Sequence, residues 1–267
     1  MKVSKNIRFS SLGALVCFLT MVLVNFLANA LPLNGLTTGA VSDSYGNLFA
    51  PTGLTFAIWG VIYLLLAGYT IYQLKAGRDY LLGNLITNLN NYYIVSSIAN
   101  TIWIFAWHYK IIWLTLLLMA VLLISLIRIA LLLKDEHFDM KNNILIRIPF
   151  FVYFGWITVA TIANVTVFLV SLGYQGYPLA PDMMTSIILV VGAVIGFIAT
   201  LAYRSVFYNL VLVWAYIGIL IRHLGSSGFA GQYPIVLGSL ALSFVIIIVA
   251  LALFFRDMAS RKSSRYQ

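Results

Sequence analysis

The chain is short of charge. Only 9% of its 267 residues are charged, whereas soluble domains carry about 25%. Hydrophobic residues make up 62%, and the mean hydropathy is +0.99. Together these exclude a water-soluble fold and leave an integral membrane protein. A single cysteine, Cys17, excludes an intramolecular disulfide framework. No basic residue is near it in sequence, so it reads as a small buried apolar residue rather than a nucleophile. The seven acids, Asp43, Asp79, Asp135, Glu136, Asp139, Asp182 and Asp257, all lie in loops or at the ends of apolar runs. No run therefore carries an intramembrane carboxylate, the usual mark of a proton- or cation-coupled transporter. The histidines, His108, His137 and His223, fall in three different loops, and no HExxH or CxxC spacing appears. A Gly-rich phosphate loop and a GxSxG elbow are also missing. Hydrolytic and metal-dependent enzymology has no candidate residues in the apolar runs, so neither an enzyme nor a cofactor is expected.

What is present is a series of apolar runs, at about 12–31, 53–74, 91–108, 111–133, 148–171, 183–203, 206–222 and 233–255. Each suits a helical span of about 20 residues, not the ten-residue alternating strands of a barrel. The expected fold is an all-α integral membrane protein with about eight transmembrane helices. Tight turns are expected at residues 108–110 and around Arg204. With the N-terminus placed in the cytoplasm, Lys2, Lys5, Arg8, Lys75, Arg78, Arg128, Lys134, Lys141, Arg147, Arg204, Arg256, Arg261, Lys262 and Arg265 fall inside. Only Lys110 and Arg222 fall outside. This positive-inside bias accounts for the net charge of +9 and pI near 9.7 with no nucleic-acid partner. Both termini are expected in the cytoplasm, at a prokaryotic plasma membrane. Three basic residues, an apolar run and Ala28-Asn29-Ala30 also fit a cleaved signal peptide. The run is longer than a typical signal core, and a retained first helix is the expectation.

The outside loop at 32–51, "PLNGLTTGAVSDSYGNLFAP", is rich in Gly, Ser, Thr and Asn and can fold over the mouth of a bundle. Beneath it, the runs repeat an aromatic and amide pattern. Trp59, Tyr63 and Ala67 are spaced i, i+4, i+8, and Asn100, Trp103 and Trp107 are spaced i, i+3, i+7. Trp156, Ala160 and Asn164 again follow i, i+4, i+8, and Asn25 and Asn29 are one turn apart. A cavity with aromatic walls and a few amides suits a flat apolar ligand with polar edges. The same residues also suit plain helix packing, with Asn100 and Asn164 as interhelical hydrogen bonds. Trp107, Tyr109 and Trp113 are expected in the interfacial aromatic belt.

The order of these motifs resembles the tryptophan-rich sensory protein family (TspO, or translocator protein), which includes the peripheral benzodiazepine receptor. In that family the second helix carries W-x-x-x-Y after a proline-containing entry, here Trp59 and Tyr63 after Pro51. The third carries N-x-x-W, here Asn100 and Trp103. The fifth carries a proline, then a Trp, a small residue four later and an Asn eight later, here Pro149, Trp156, Ala160 and Asn164. The chain departs at Gly53, where the family usually has Trp, and at Ser96, which replaces a common Gln. The resemblance implies a five-helix module over 1–174, followed by a three-helix extension and basic tail over 175–267. It also implies binding of a porphyrin or another tetrapyrrole, or of a sterol-like ligand, in a sensory, regulatory or transport role. Trp59, Trp103 and Trp156 would stack on the ligand, Ala160 would keep the wall thin, and Tyr63, Asn100 and Asn164 would order the cavity. The expected partners are the lipid bilayer, that ligand and, as an open alternative, a second copy in a homodimer. The alternative function is a multi-pass facilitator or permease for a small solute.

Overall fold

The computed structural model describes residues 5–76, 80–173 and 179–264. Lys2, Arg78, Asp79 and Arg265, among the charges assigned above, lie outside them. Among the described residues the chain is helical, with no strand. It runs as α1 (Lys5–Ala30), a short helix α2 (Thr38–Asp43), α3 (Ile58–Ala76), α4 (Tyr80–His108) and α5 (Ile112–Leu133). A one-turn α6 (Met140–Asn142) and a wide turn at Asn143–Arg147 lead into α7 (Ile148–Ser171), α8 (Pro181–Tyr203), α9 (Val206–Leu224) and α10 (Pro234–Ser264). A 3-10 turn, Gly53–Ala57, precedes α3.

Local chemistry sets the boundaries. Proline stands in the first turn of α7 and of α8, where no backbone donor is lost. Ser205 caps α9 by accepting from the Tyr208 amide. The two expected tight turns are present. Lys110 (φ 57°) and Arg204 (φ 52°) take left-handed backbone conformations, reversing the chain between α4 and α5 and between α8 and α9.

Among the described residues seven helices are long and apolar enough to cross a membrane; of the long helices α4 is the exception. It is 29 residues long, but Asn, Ser and Tyr lower its hydropathy. Asn90, Ser96, Ser97 and Asn100 face protein and are fully buried, while Asn84, Asn88 and Asn91 are exposed. Hydrogen bonds place Asn90 and His108 level with the ends of the neighbouring helices. Asn90 donates to Gln73 of α3 (2.7 Å), whose amide donates to the Ser11 carbonyl of α1 (3.0 Å). At the other end His108 meets Thr38 above the end of α1. A helix spanning the same two levels as α1 and α3 crosses the same thickness. Hydropathy misses it because it counts residues without asking which way they point.

The same pairings fix direction. Near its end, α3 bonds to the start of α4, through Tyr69 to Asn90 (2.7 Å) and Thr70 to Tyr93 (3.1 Å). Tyr72 reaches Asn142 just before α7 (2.6 Å), and Arg147 reaches the last carbonyl of α8, on Tyr203 (3.2 Å). The beginnings of α1, α4 and α7 and the ends of α3 and α8 therefore share one face, here called basal. The loop at 32–51 caps the other.

The last three helices pack on the rest of the chain. α10 lies against α8 and α9, and α9 against α7. Contact between α7 and α9 centres on Gly155. A β-carbon there would lie 2.8 Å from the Tyr208 carbonyl oxygen and 2.9 Å from the Val211 β-carbon. Close backbone approach at a small residue is a common way to associate helices in lipid. Gly155→Val should therefore cost about 1–3 kcal/mol through overpacking. The expected readout is a lower melting temperature in detergent. An unchanged melting temperature would mean that α9 can shift away from α7 without loss.

A cavity beneath the external loop

One stripe of α1 is left uncovered beside α3. Val22, Asn25, Phe26 and Asn29, spaced i, i+3, i+4, i+7, all face a cavity of about 770 Å³. α3 supplies Trp59 and Tyr63 opposite, and the 3-10 turn adds Phe56. The roof is α2 with its N-cap Thr37, including Thr38, Gly39 and Asp43. Trp59 stacks on Tyr63 with 5.4 Å between ring centroids. Behind them Trp156 meets Trp59 edge-on at 6.2 Å and Phe56 at 6.0 Å, and Tyr153 meets Trp59 at 6.0 Å. Two donors in this cluster, the Tyr63 hydroxyl and Trp156 Nε1, are buried without a hydrogen-bond partner. Buried donors are rarely left so.

The amides run from the core to the roof. Asn25 Nδ2 donates to Asn100 Oδ1 (2.8 Å), and Asn100 Nδ2 donates to the Tyr153 hydroxyl (3.4 Å). Asn29 donates to the Asn25 carbonyl (3.0 Å) and accepts from the Thr38 amide (3.0 Å). A second chain reaches the same roof residue. Asn164 donates to the Ala160 carbonyl (2.9 Å) and accepts from Trp103 Nε1 (3.3 Å). Trp103 stacks on Trp107 at 5.3 Å, and Trp107 Nε1 donates to the Thr38 carbonyl (3.1 Å).

Of the seven residues singled out in the sequence, Trp59 and Tyr63 line the cavity. Trp156 stands directly behind them, and Asn100 is bonded to the lining residue Asn25. Trp103, Ala160 and Asn164 are joined to one another and to the roof, not to the cavity wall. The void lies between α1, α2 and α3, because α1 packs along α4 and covers that helix's amides. Trp107 is not a belt residue: its ring is buried and its N–H is taken by the roof. Trp113 and Tyr109 are exposed, as belt residues are. The α1 stripe was legible from its spacing. Phe56, Tyr153 and the roof residues carried no periodic signal.

Two histidines assigned to loops are buried posts for the segment at 32–52. His108 sits between the Leu33 carbonyl (2.8 Å) and the Thr38 hydroxyl (3.2 Å), and the Asn34 side chain donates to the His108 carbonyl (2.9 Å). His223 of α9 bonds the Leu48 carbonyl (2.9 Å). The rest of α9 clamps the same segment. Arg222 pairs with Asp43 at the roof and donates to the Pro51 carbonyl (3.2 Å). Trp214 Nε1 donates to the Thr55 carbonyl (3.0 Å), and the Thr52 amide donates to the Gly218 carbonyl (3.2 Å). At Gly218 a β-carbon would collide with the Thr55 side chain, so a glycine is required there.

Comparison with known proteins gives one match: the family model described as TSPO-like protein covers residues 11–254. No curated protein and no solved structure matches the chain.

The clamp can be measured through the roof's opening rate. The Asp43 carboxylate is half-exposed, and such pairs contribute about 0.2–1 kcal/mol. Arg222→Gln should therefore raise hydrogen exchange across residues 38–52 by up to about fivefold, leaving exchange in α5 unchanged. Equal exchange in both proteins would show that the pair does not hold the roof.

Proposed function

Since the chain belongs to the TSPO-like family, we propose that it is a membrane-embedded binder of planar hydrophobic ligands, of the porphyrin or sterol-like kind. One observation carries this reading: the 770 Å³ void walled by Trp59, Tyr63 and Phe56 and edged by Asn25 and Asn29. Its size falls within the range of small-molecule sites, and its lining joins apolar faces to a few polar groups. The ligand would lie against Trp59, with Trp156 bracing that ring from behind. An acceptor on its edge would take the unpartnered Tyr63 hydroxyl. In this reading Asn100, Trp103, Ala160 and Asn164 hold the wall and roof in register rather than touch the ligand. The site takes the bound molecule without reaction.

A binder also fits the packing better than the permease alternative. Towards the basal face the core is closed by Tyr69, Tyr93 and Phe150, all fully buried, with ring centroids 4.7–5.6 Å apart. The division into a five-helix module (1–174) and an extension (175–267) belongs to the same proposal, the extension acting through its clamp on the roof. So do cytoplasmic termini in a prokaryotic plasma membrane. Among residues whose side chains are described, Arg8, Lys75, Arg128, Lys134, Lys141, Arg147, Arg204 and Arg256 belong to basal segments. Lys110 and Arg222 belong to the capped face, and this distribution supports a cytoplasmic basal face.

The test is tryptophan quenching by protoporphyrin in purified, detergent-solubilised protein. Trp59→Leu removes the stacking face and should weaken binding by about tenfold, or ~1.4 kcal/mol. Tyr63→Phe should weaken it less, by the value of one hydrogen bond, about 0.5–1.5 kcal/mol. Saturable quenching with wild-type affinity in folded Trp59→Leu would defeat the reading.

A further inference from the structure

A second concave surface faces the lipid on the opposite flank of α7. There α5 and α8 both border α7 without closing over it, leaving an apolar groove of about 380 Å³. Phe154 and Ile162 form its floor, Leu123 and Ile127 one side, and Ile195 and Ile198 the other. From Phe154 to Ile162 it follows eight residues of α7, about 12 Å at 1.5 Å per residue. The threonine hydroxyls in its floor are already engaged. Thr158 donates to the Phe154 carbonyl and accepts from Tyr208, and Thr161 donates to the Ile157 carbonyl. The groove therefore recognises hydrocarbon and offers no free polar group along its length.

Its basal end differs. Tyr203 closes it, with Arg204 next in the chain. Arg147, two turns before Phe154, holds its guanidinium over the Phe151 ring, 5.4 Å from the centroid. It donates through Nη2 to the Tyr203 and Arg204 carbonyls and through Nη1 to that of Glu136. Nε–H and one Nη1 hydrogen remain. Arg204 is exposed. Neither guanidinium has a carboxylate within ion-pair distance among the described residues. The acids of the neighbouring loop are Asp135, Glu136 and Asp139; Asp135 pairs with Lys134 at 3.8 Å, and Asp139 caps α6. Two guanidiniums with no ion pair among the described residues, Arg147 feeling the Asp135 carboxylate only through space, sit at the polar end of an acyl-sized groove and favour an amphiphile with an anionic head.

We propose that this groove is a binding site for an anionic phospholipid, one acyl chain lying between α5 and α8 and the phosphate meeting Arg147 and Arg204. A zwitterionic lipid would fill the same groove but bring its own cation to the two guanidiniums. The site is separate from the cavity under the external loop and does not depend on what that cavity binds.

The test uses the full chain in detergent, with lipid retention read by native mass spectrometry. The probes are phosphatidylglycerol and phosphatidylcholine of identical acyl chains. Phosphatidylglycerol should be retained preferentially. Arg204→Gln should reduce that preference about fivefold, the equivalent of ~1 kcal/mol per basic residue near a charged lipid. Among the described residues the Arg204 side chain makes no hydrogen bond, ion pair or ring contact. Arg147→Gln should act in the same direction, and its melting temperature reports whether losing the bonds to the end of α8 unfolds the protein. Ile198→Trp, filling the groove from its lipid side, should reduce retention of both lipids while leaving protoporphyrin quenching unchanged. Equal retention of the two lipids, or a preference unaltered in Arg204→Gln, would overturn the proposal. Displacement of phosphatidylglycerol by millimolar inorganic phosphate would also overturn it, by showing a free-anion site.

Discussion

The hydrogen bond from Asn25 to Asn100 sets the geometry on which the cavity depends. In hydrocarbon an unpaired amide costs several kcal/mol, so each asparagine must find a partner inside the protein. Pairing these two fixes the rotation of α1 against α4. Once that rotation is set, Val22, Phe26 and Asn29 of the same stripe must face α3. Asn100 Nδ2 in turn donates to the Tyr153 hydroxyl of α7, whose ring meets Trp59. One amide pair thus ties α1, α4, α7 and α3 into a single arrangement, with the void between the first and the last.

The roof is held from several directions. α4 grips it through His108 and Trp107, α1 through Asn29, α7 through Thr166, which accepts from Asn47, and α9 through Arg222, His223 and Trp214. Most of these bonds go to backbone carbonyls or amides, so the segment at 32–52 is ordered although it has little regular structure of its own. This gives the C-terminal helices a role. α8 and α10 wedge α9 against α7, and α9 carries the roof contacts. The glycines at 155 and 218 allow that close approach, each facing atoms that a side chain would displace.

The two faces of the bundle also differ in chemistry. The capped face has a cavity with aromatic walls and amides, suited to the proposed recognition by stacking and a few directed bonds. The basal face has most of the cations and a groove that accepts hydrocarbon only. Between them, Tyr69, Tyr93 and Phe150 form an edge-to-face plug with no polar path through it. The hydroxyls of Tyr69 and Tyr93 are engaged sideways, to Asn90 and Thr70. That closed middle keeps the two proposed sites apart.

Apolar runs, their flanking charges and the turn positions were determined by sequence alone, because helix length, lipid exposure and chain reversal are local or compositional properties. Span ends such as Ile148–Ser171 and Val206–Leu224 were legible for that reason, and the family was legible from the order of Trp59, Asn100 and Trp156. The early start of α4 at Tyr80 was not, since the amides of Asn84, Asn88, Asn90 and Asn91 look like a loop to any scale that counts polarity. Periodicity found the residues that turn inward but not which of them meet a void. Trp59 and Trp103 follow the same kind of spacing, yet one borders a cavity and the other donates to Asn164. That difference depends on which helix packs opposite, and α1 covers α4 while leaving α3 open. The roof was decided by tertiary structure alone. His108, Asp43 and Arg222 are far apart in sequence, and only the packing of α9 on α7 brings the last of them to the loop.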